Sequence, residues 1–292
     1  MSAQKPLVSI LTPTYNRRLF FPALVRCVDS QTYPKNRLEW IILDDGPDSI
    51  EDLVIEAKKT RPFIQYIRSD EKLLIGKKRN MLNDAAKGDI IVAMDDDDYY
   101  PPERVAHVVH MLQGKPKVEL AGASEIYMYF ADNREIYRIG PYNPNHCTNG
   151  TMAYKKSYAR AHRYDESVSC GEEKSYLEDY KHPMVQLDPF KTMLVISHSM
   201  NTFDKRNLRT ADNPMFKRTD KKIRDFIRDA KQREFYLGLT NLYTPEQLAA
   251  PIKLPDTEAE RVAKVMAEHQ AALAAKDNAP APAPAPVPEN TA

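Results

Sequence analysis

The stretch Ile90-Ile91-Val92-Ala93-Met94-Asp95-Asp96-Asp97-Asp98 decides how this chain folds. Its apolar half reads as a buried strand, and the carboxylates follow where that strand leaves the sheet. Packed carboxylates repel one another and raise each other's pKa values unless a cation neutralises them. Hard oxygen ligands suit Mn²⁺ or Mg²⁺, ions commonly shared with a substrate's phosphates. An isolated acidic run would read as a solvated turn. The strand before this one, and the Pro101-Pro102-Glu103 helix start after it, favour an enzyme site for a phosphate-bearing ligand.

Working outward, strands and helices alternate through the first half. Leu7 to Leu11 predicts a strand ending at Thr12-Pro13-Thr14, and Phe21 to Ser30 a helix. Leu38 to Leu43 is a second strand ending at Asp44-Asp45-Gly46, and Ile50 to Thr60 a second helix. Phe63 to Ile67 is a third strand, and Lys77 to Lys87 a third helix closed by Gly88. This order predicts an α/β fold with a mostly parallel sheet covered by helices. Ligands bind beyond the carboxyl ends of such strands. Thr12 to Arg17, Asp44-Asp45 and Asp95 to Asp98 should therefore meet in one crevice.

The second half is more mixed. Strands are expected within Val118 to Phe130, at Glu135 to Ile139, after Asn149-Gly150, and at Met193 to Ser197. Thr219 to Phe235 reads as an amphipathic helix through Ile223, Phe226, Ile227 and Ala230. Thr257 to Ala275 reads as another helix, with a surface for pairing with a second copy of the chain. Ala279 to Ala292 is Ala-Pro repetition, expected to be extended.

The 292 residues, 42% hydrophobic and 28% charged, suffice for one large or two modest domains. A formal net charge of +1 supplies no bulk field toward nucleic acid or membrane. Cys27, Cys147 and Cys170 form neither an even framework nor a metal-ligand spacing. The first residues lack signal-peptide character, and no apolar run reaches membrane-spanning length. A cytoplasmic chain without a membrane span or nucleic-acid partner is expected.

Four motifs together resemble family 2 glycosyltransferases. Val8-Ser9-Ile10-Leu11-Thr12-Pro13-Thr14-Tyr15-Asn16-Arg17 is similar to the family's opening strand and loop. Asp44-Asp45-Gly46 is similar to its second-strand ending, and Gly76-Lys77-Lys78-Arg79-Asn80 to its Gly-x-x-x-Arg-Asn helix start. Asp95 to Asp98 resembles its Asp-x-Asp motif. The resemblance covers roughly the first two-thirds of the chain and implies the Rossmann-like GT-A fold. It divides the chain into a GT-A domain over 1–215, a helical extension over 216–276 and a disordered tail over 277–292. Within the domain, 1–100 would bind the nucleotide sugar and 101–215 the acceptor.

The implied activity is metal-dependent, inverting transfer of a sugar from a UDP- or GDP-linked donor to a hydroxyl of an acceptor glycan. Thr12, Pro13, Thr14, Tyr15 and Arg17 would cradle base and ribose, and Asp45 would accept a hydrogen bond from the base. Lys77, Lys78 and Arg79 would add diphosphate-binding charge at a helix start, with Arg79 facing the crevice and surface charge the alternative for Lys77 and Lys78. Asp97 would hold the metal, with His198 completing its shell. Asp95 or Asp96 would hold the ribose hydroxyls, or the metal through water. Cys170-Gly171-Glu172-Glu173-Lys174 resembles the segment supplying the base, with Glu173 favoured and Glu172 an alternative. Glu178-Asp179 spells the family's Glu-Asp motif literally, yet reads as structural. His107, His110, His146, His162 and His182 lack a comparable setting.

Two rivals differ in kind. A sugar-1-phosphate nucleotidyltransferase would open on a Gly-rich loop, and Thr12 to Arg17 holds no glycine. A non-catalytic glycan- or nucleotide-binding module would not need both the acidic run and Glu172-Glu173.

Overall fold

The computed structural model describes residues 4–209, 213–249 and 258–277. Its sheet grows from β1 (Val8–Thr14), followed by α1 (Phe21–Ser30), β2 (Leu38–Asp44), α2 (Glu51–Lys58) and β3 (Ile64–Arg68). α3 (Ile75–Ala85), β4 (Ile90–Ala93) and α4 (Arg104–Gly114) complete the alternation. Every residue of β1 and β2 is buried, as expected where helices cover both sheet faces.

The chain continues through β5 (Leu120–Gly122), β6 (Ile126–Phe130), β7 (Glu135–Ile139), β8 (Ala153–Lys155), α5 (Lys156–Ala161) and α6 (Glu173–Tyr176). Then come β9 (Met184–Gln186), β10 (Leu194–Ser197), β11 (Phe216–Arg218), α7 (Ala230–Gly238), α8 (Pro245–Ala249) and α9 (Glu258–Asp277). The main sheet runs β3-β2-β1-β4-β8-β5-β9, and a second sheet β10-β6-β7-β11.

β1 pairs in parallel with β2, Thr14 opposite Asp44, and with β4, Leu11 opposite Ala93. The strand order reverses between β1 and β4, which opens a crevice beyond their carboxyl ends. A polar strap fixes the three strands below it. Trp40 Nε1 donates to Thr12 Oγ1 at 3.0 Å, and Thr12 Oγ1 donates to the Met94 carbonyl at 2.8 Å. All three side chains are buried, so these bonds are shielded from water.

Three expectations need correction. Thr219 to Phe235 is not one helix. Thr219 N–H donates to the Ile136 carbonyl at 2.9 Å, extending the β11–β7 ladder. A short 3₁₀ turn, Ile223–Asp225, follows, and α7 starts only where Asp229 accepts from Gln232 N–H at 2.7 Å. Local Asp side chains compete with continuous helix here. Ile223 and Ile227 are still buried, but Phe226 is half-buried and Ala230 exposed, so the apolar spacing reported burial only in part.

Second, α3 begins two residues before Lys77, and Gly88 does not close it. Gly88 N–H donates to Ser9 Oγ at 2.8 Å and Glu39 Oε1 at 3.0 Å. A Cβ there would stand 2.6 Å from the Ser9 nitrogen, so glycine serves close packing on β1. Third, Lys77 is exposed as expected, whereas Lys78 is buried.

β11 joins the second sheet, and α7 packs on α1, where Gln232 Nε2 donates to Cys27 Sγ at 2.9 Å. The described residues 216–238 thus share the body formed by the rest. No helix among the described residues is long and apolar enough to cross a membrane. The Ala-Pro repetition, residues 279–292, lies outside the described residues.

Candidate active site

Each aspartate of the run has a different environment. Asp95 accepts from Arg79 Nη1 at 2.7 Å, while its own N–H donates to Tyr100 Oη at 2.7 Å. Asp97 Oδ2 lies 3.1 Å from His198 Nε2, 3.1 Å from Asn201 Nδ2 and 3.5 Å from Arg17 Nε. Asp98 turns away from the crevice and accepts from Ile196 N–H at 2.7 Å, tying the run to β10. Burial pushes Asp98 well above the carboxylate range, reinforced by the charge of Asp97.

Asp96 lies between these anchors. Burial, then the charge of Asp97, pushes its pKa up to about 7. Burial also opposes ionisation of Asp97, but the His198 hydrogen bond and the charges of Arg17 and Lys205 outweigh it and hold Asp97 ionised. One carboxylate is therefore compensated and its neighbour is not, an imbalance that a divalent cation would relieve. His198 is buried and packs on Phe20 at 4.6 Å between ring centroids. Met200 N–H donates to its Nδ1 at 3.2 Å, so the ring proton belongs on Nε2, facing Asp97.

The opening loop divides in two. Thr12 and Pro13 are buried within β1, and the Thr12 hydroxyl is spent on the strap, so Thr12 does not reach the crevice. The Thr14 side chain lies near the Asp96 carboxylate and favours its ionised form. Arg17 bonds the Met200 carbonyl and, at 3.4 Å, the Tyr15 carbonyl. Tyr15 is covered from two sides. Lys72 Nζ lies 3.3 Å from its ring centroid, and His269 of α9 approaches its hydroxyl at 3.2 Å.

The two second-strand aspartates also separate. Asp44 caps its own turn, accepting from Gly46 N–H at 2.9 Å, Ile50 N–H at 3.0 Å and Tyr66 Oη at 2.8 Å. Asp45 is fully buried and accepts from Lys78 Nζ at 2.5 Å and Leu73 N–H at 2.8 Å, with Lys72 Nζ at 3.4 Å. Burial, then the charge of Lys78, pulls the Lys72 pKa down to about 7. A ligand reaching Asp45 must displace Lys72.

Arg79 is a strut. Its guanidinium is buried and bridges Asp95 Oδ1 at 2.7 Å and Glu172 Oε1 at 3.0 Å. The Asn149 amide oxygen, turned inward, stands 2.9–3.0 Å from all three guanidinium nitrogens, over the face of the group. Each of the three Arg79 guanidinium nitrogens thus faces a protein carboxylate. Asn80 holds the same segment, exchanging hydrogen bonds with the Tyr164 backbone at 2.9 and 3.0 Å. Gly76 permits this contact, since a Cβ there would stand 1.8 Å from the Asp165 carbonyl oxygen.

The strut brings α6 to the strand ends. Glu172 is held by Arg79, whereas none of the described ion pairs reaches Glu173. Burial, then the adjacent Glu172 charge, pushes the Glu173 pKa up to about 7. Of the expected residues, Arg17, Asp97 and His198 form one connected set, with Asp96 beside it, and Asp95, Arg79 and Glu172 a second, with Glu173 beside it. Lys72, Asn149 and Asn201 join the crevice without any sequence signal beyond their position near the motifs.

The strand order and the crevice at its reversal define a GT-A-type fold. The glycosyl transferase family 2 model matches residues 9–176, more than half of the chain, and the chain belongs to that family. An uncharacterized glycosyltransferase of Haemophilus influenzae is 32% identical over 112 residues, 38% of this chain and 36% of that protein. A putative colanic acid biosynthesis glycosyl transferase, WcaA of Escherichia coli, is 34% identical over 102 residues, 35% of this chain and 36% of its own length. The chain thus spans little more than a third of these relatives. Among solved structures, the mannosyltransferase PcManGT of Pyrobaculum calidifontis, in complex with GDP-Man and Mn²⁺, superposes with a TM-score of 0.56 at 15% identity. That match covers 96% of this chain and 77% of the other. TarS of S. aureus, in complex with UDP-GlcNAc, gives 0.52 at 14% identity over 67% of this chain and 60% of its own.

Proposed function

We propose that this chain is an inverting, metal-dependent glycosyltransferase using a nucleoside diphosphate sugar. The observation that carries the reading is the Asp95–Arg79–Glu172 bridge, which couples a metal-type strand end to a carboxylate segment across the crevice. A binding module has no need of that coupling. The PcManGT and TarS complexes support a GDP- or UDP-linked donor.

The hard oxygen donors of Asp96 and Asp97 fit Mn²⁺ or Mg²⁺, which typically take one or two carboxylates and fill the rest of their shell with phosphate and water. When bound, the ion neutralises charge on the departing nucleoside diphosphate. His198 orients Asp97, and joins the shell only when Nε2 gives up its proton. Thr14 and Arg17 fix the geometry of the two aspartates. Asp45 and Tyr15 receive the base once Lys72 has moved aside.

Glu173 is the base and Glu172 its positioning partner. A Glu173 pKa near 7 suits proton uptake at neutral pH. The acceptor hydroxyl loses its proton to Glu173 as its oxygen bonds to the anomeric carbon. The bond from that carbon to the diphosphate oxygen breaks on the opposite face, so configuration inverts. A donor-hydrolysis screen over UDP- and GDP-sugars with Mn²⁺ tests this. Metal-dependent release of one nucleoside diphosphate is expected, and no release from any donor would contradict it.

A further inference from the structure

Glu178-Asp179 and two background histidines come together outside the crevice. His162 ends α5, Glu178 follows α6, and His182 precedes β9. Their ligand atoms all lie within 4.8 Å of one another. His162 Nε2 is 3.5 Å from Glu178 Oε1, and His182 Nε2 is 3.4 Å from Glu178 Oε2. Zinc bonded at about 2.0–2.1 Å in tetrahedral geometry holds its donors about 3.3 Å apart. Each imidazole already stands near that spacing from one oxygen of the Glu178 carboxylate.

The lone pairs are aimed inward. His162 Nδ1 sits 3.1 Å from the Tyr158 carbonyl, which can accept only from N–H. Nε2 is then the lone-pair nitrogen, and it faces a carboxylate oxygen. The backbone carbonyl is the usual outer partner of a metal-bound imidazole. His182 Nε2 is buried without a hydrogen-bond partner. Acceptors facing acceptors repel unless protons or a cation lie between them.

The intervening backbone is strained to make the meeting. Glu178, Asp179 and Tyr180 have φ of 46°, 58° and 61°, left-handed values that non-glycine residues adopt only at a cost. His162 is stacked on Tyr158 at 3.9 Å and 10°, which fixes its ring plane.

We propose that His162, Glu178 and His182 bind one Zn²⁺ ion, with a fourth position open to water. Glu178 is exposed, so that position faces solvent. The ion would staple the segment between residues 162 and 182, which carries α6. This site is separate from the Asp97 crevice and uses imidazole nitrogen, which suits zinc better than magnesium.

The test is metal content and titration of the full chain. Metal-free protein is titrated with Co²⁺, whose visible absorption reports a tetrahedral nitrogen–oxygen site, and then displaced by Zn²⁺. One tetrahedral ion per chain is expected beside any ion in the crevice, with Asp97→Asn leaving the affinity of this tetrahedral site unchanged. His162→Ala and His182→Ala should each weaken binding at least 100-fold. Glu178→Gln, at an exposed position, should weaken it at least tenfold and serves if a histidine variant fails to fold. Zinc binding that is absent in the wild type, or unchanged in Glu178→Gln, overturns the proposal. Because no sugar donor is used, the outcome is independent of the transferase reading.

Discussion

The two walls of the crevice are built differently. The donor wall is made of strand ends, with Thr14, Asp44 and the run after Ala93 held side by side by parallel pairing. The opposite wall is α6, only four residues long, carried on an irregular segment and held by Arg79 and Asn80. Parallel strands fix positions through many backbone bonds, so single side chains there are free for chemistry. A short helix on a loop depends on a few side-chain bonds, so its residues divide between chemistry and support.

The largest expected difference lies at the donor wall. Asp97→Ala should lower sugar transfer about 10³-fold or more, since stabilising the leaving group is worth several kcal/mol. Circular dichroism should report an unchanged fold, because Asp98 and not Asp97 anchors β10. Retained transfer in Asp97→Ala would remove the distinction between the two aspartates.

On the α6 wall the paired glutamates should behave oppositely. Glu173→Gln should cost about 10²–10⁴ in kcat. Glu172→Gln should leave chemistry less affected, and should destabilise the protein by about 1–3 kcal/mol through loss of a charged hydrogen bond to buried Arg79. Denaturant unfolding beside steady-state kinetics separates the effects, and the reverse pattern would make Glu172 the base.

The pH profile sharpens this further. A base whose pKa is raised to about 7 is protonated below that value, so transfer should rise with pH through about 7 and level off above it. Stability runs the other way. The folded state holds the Glu173 proton more tightly than the unfolded chain does, so that contribution falls as pH climbs from the ordinary glutamate range toward 7. Measuring both at saturating metal checks the assignment, and a flat rate profile across pH 6–8 would count against it.

The smallest effect concerns α9. His269 is buried against Tyr15 although most of its helix is exposed. Removing residues 258–292 should tighten nucleoside diphosphate binding by a few-fold, since a covered site binds in proportion to its open fraction. Weaker binding after truncation would make α9 part of the site rather than its cover.

The sequence carried the donor wall well, for a physical reason. β1, β2 and β4 are continuous apolar runs ending in polar clusters, and α1 follows an uninterrupted helical spacing, so period and punctuation agree. The second half uses strands of three residues, such as Leu120–Gly122 and Met184–Gln186, too short to show any period. The stretch Thr219 to Phe235 misled because apolar residues three and four apart also arise when a 3₁₀ turn buries Ile223 and the irregular link after it buries Ile227. Arg79 was legible as a site residue, but its partners were not, since Asp95 and Glu172 lie 16 and 93 positions away. The burial of Lys78 against Asp45 was equally silent, because a lysine between Lys77 and Arg79 reads as a solvated face. The His162–Glu178–His182 cluster has no compact ligand spacing and emerges only when the left-handed turn at Glu178 is seen.

Calorimetric titration of UDP and GDP, with and without Mn²⁺, on the wild-type chain and Asp97→Asn tests the central assignment most directly. Binding of one nucleotide that is at least tenfold tighter with Mn²⁺, and loses that gain in Asp97→Asn, is the predicted result. Equal affinity with and without the ion, or a gain that survives in Asp97→Asn, would contradict it.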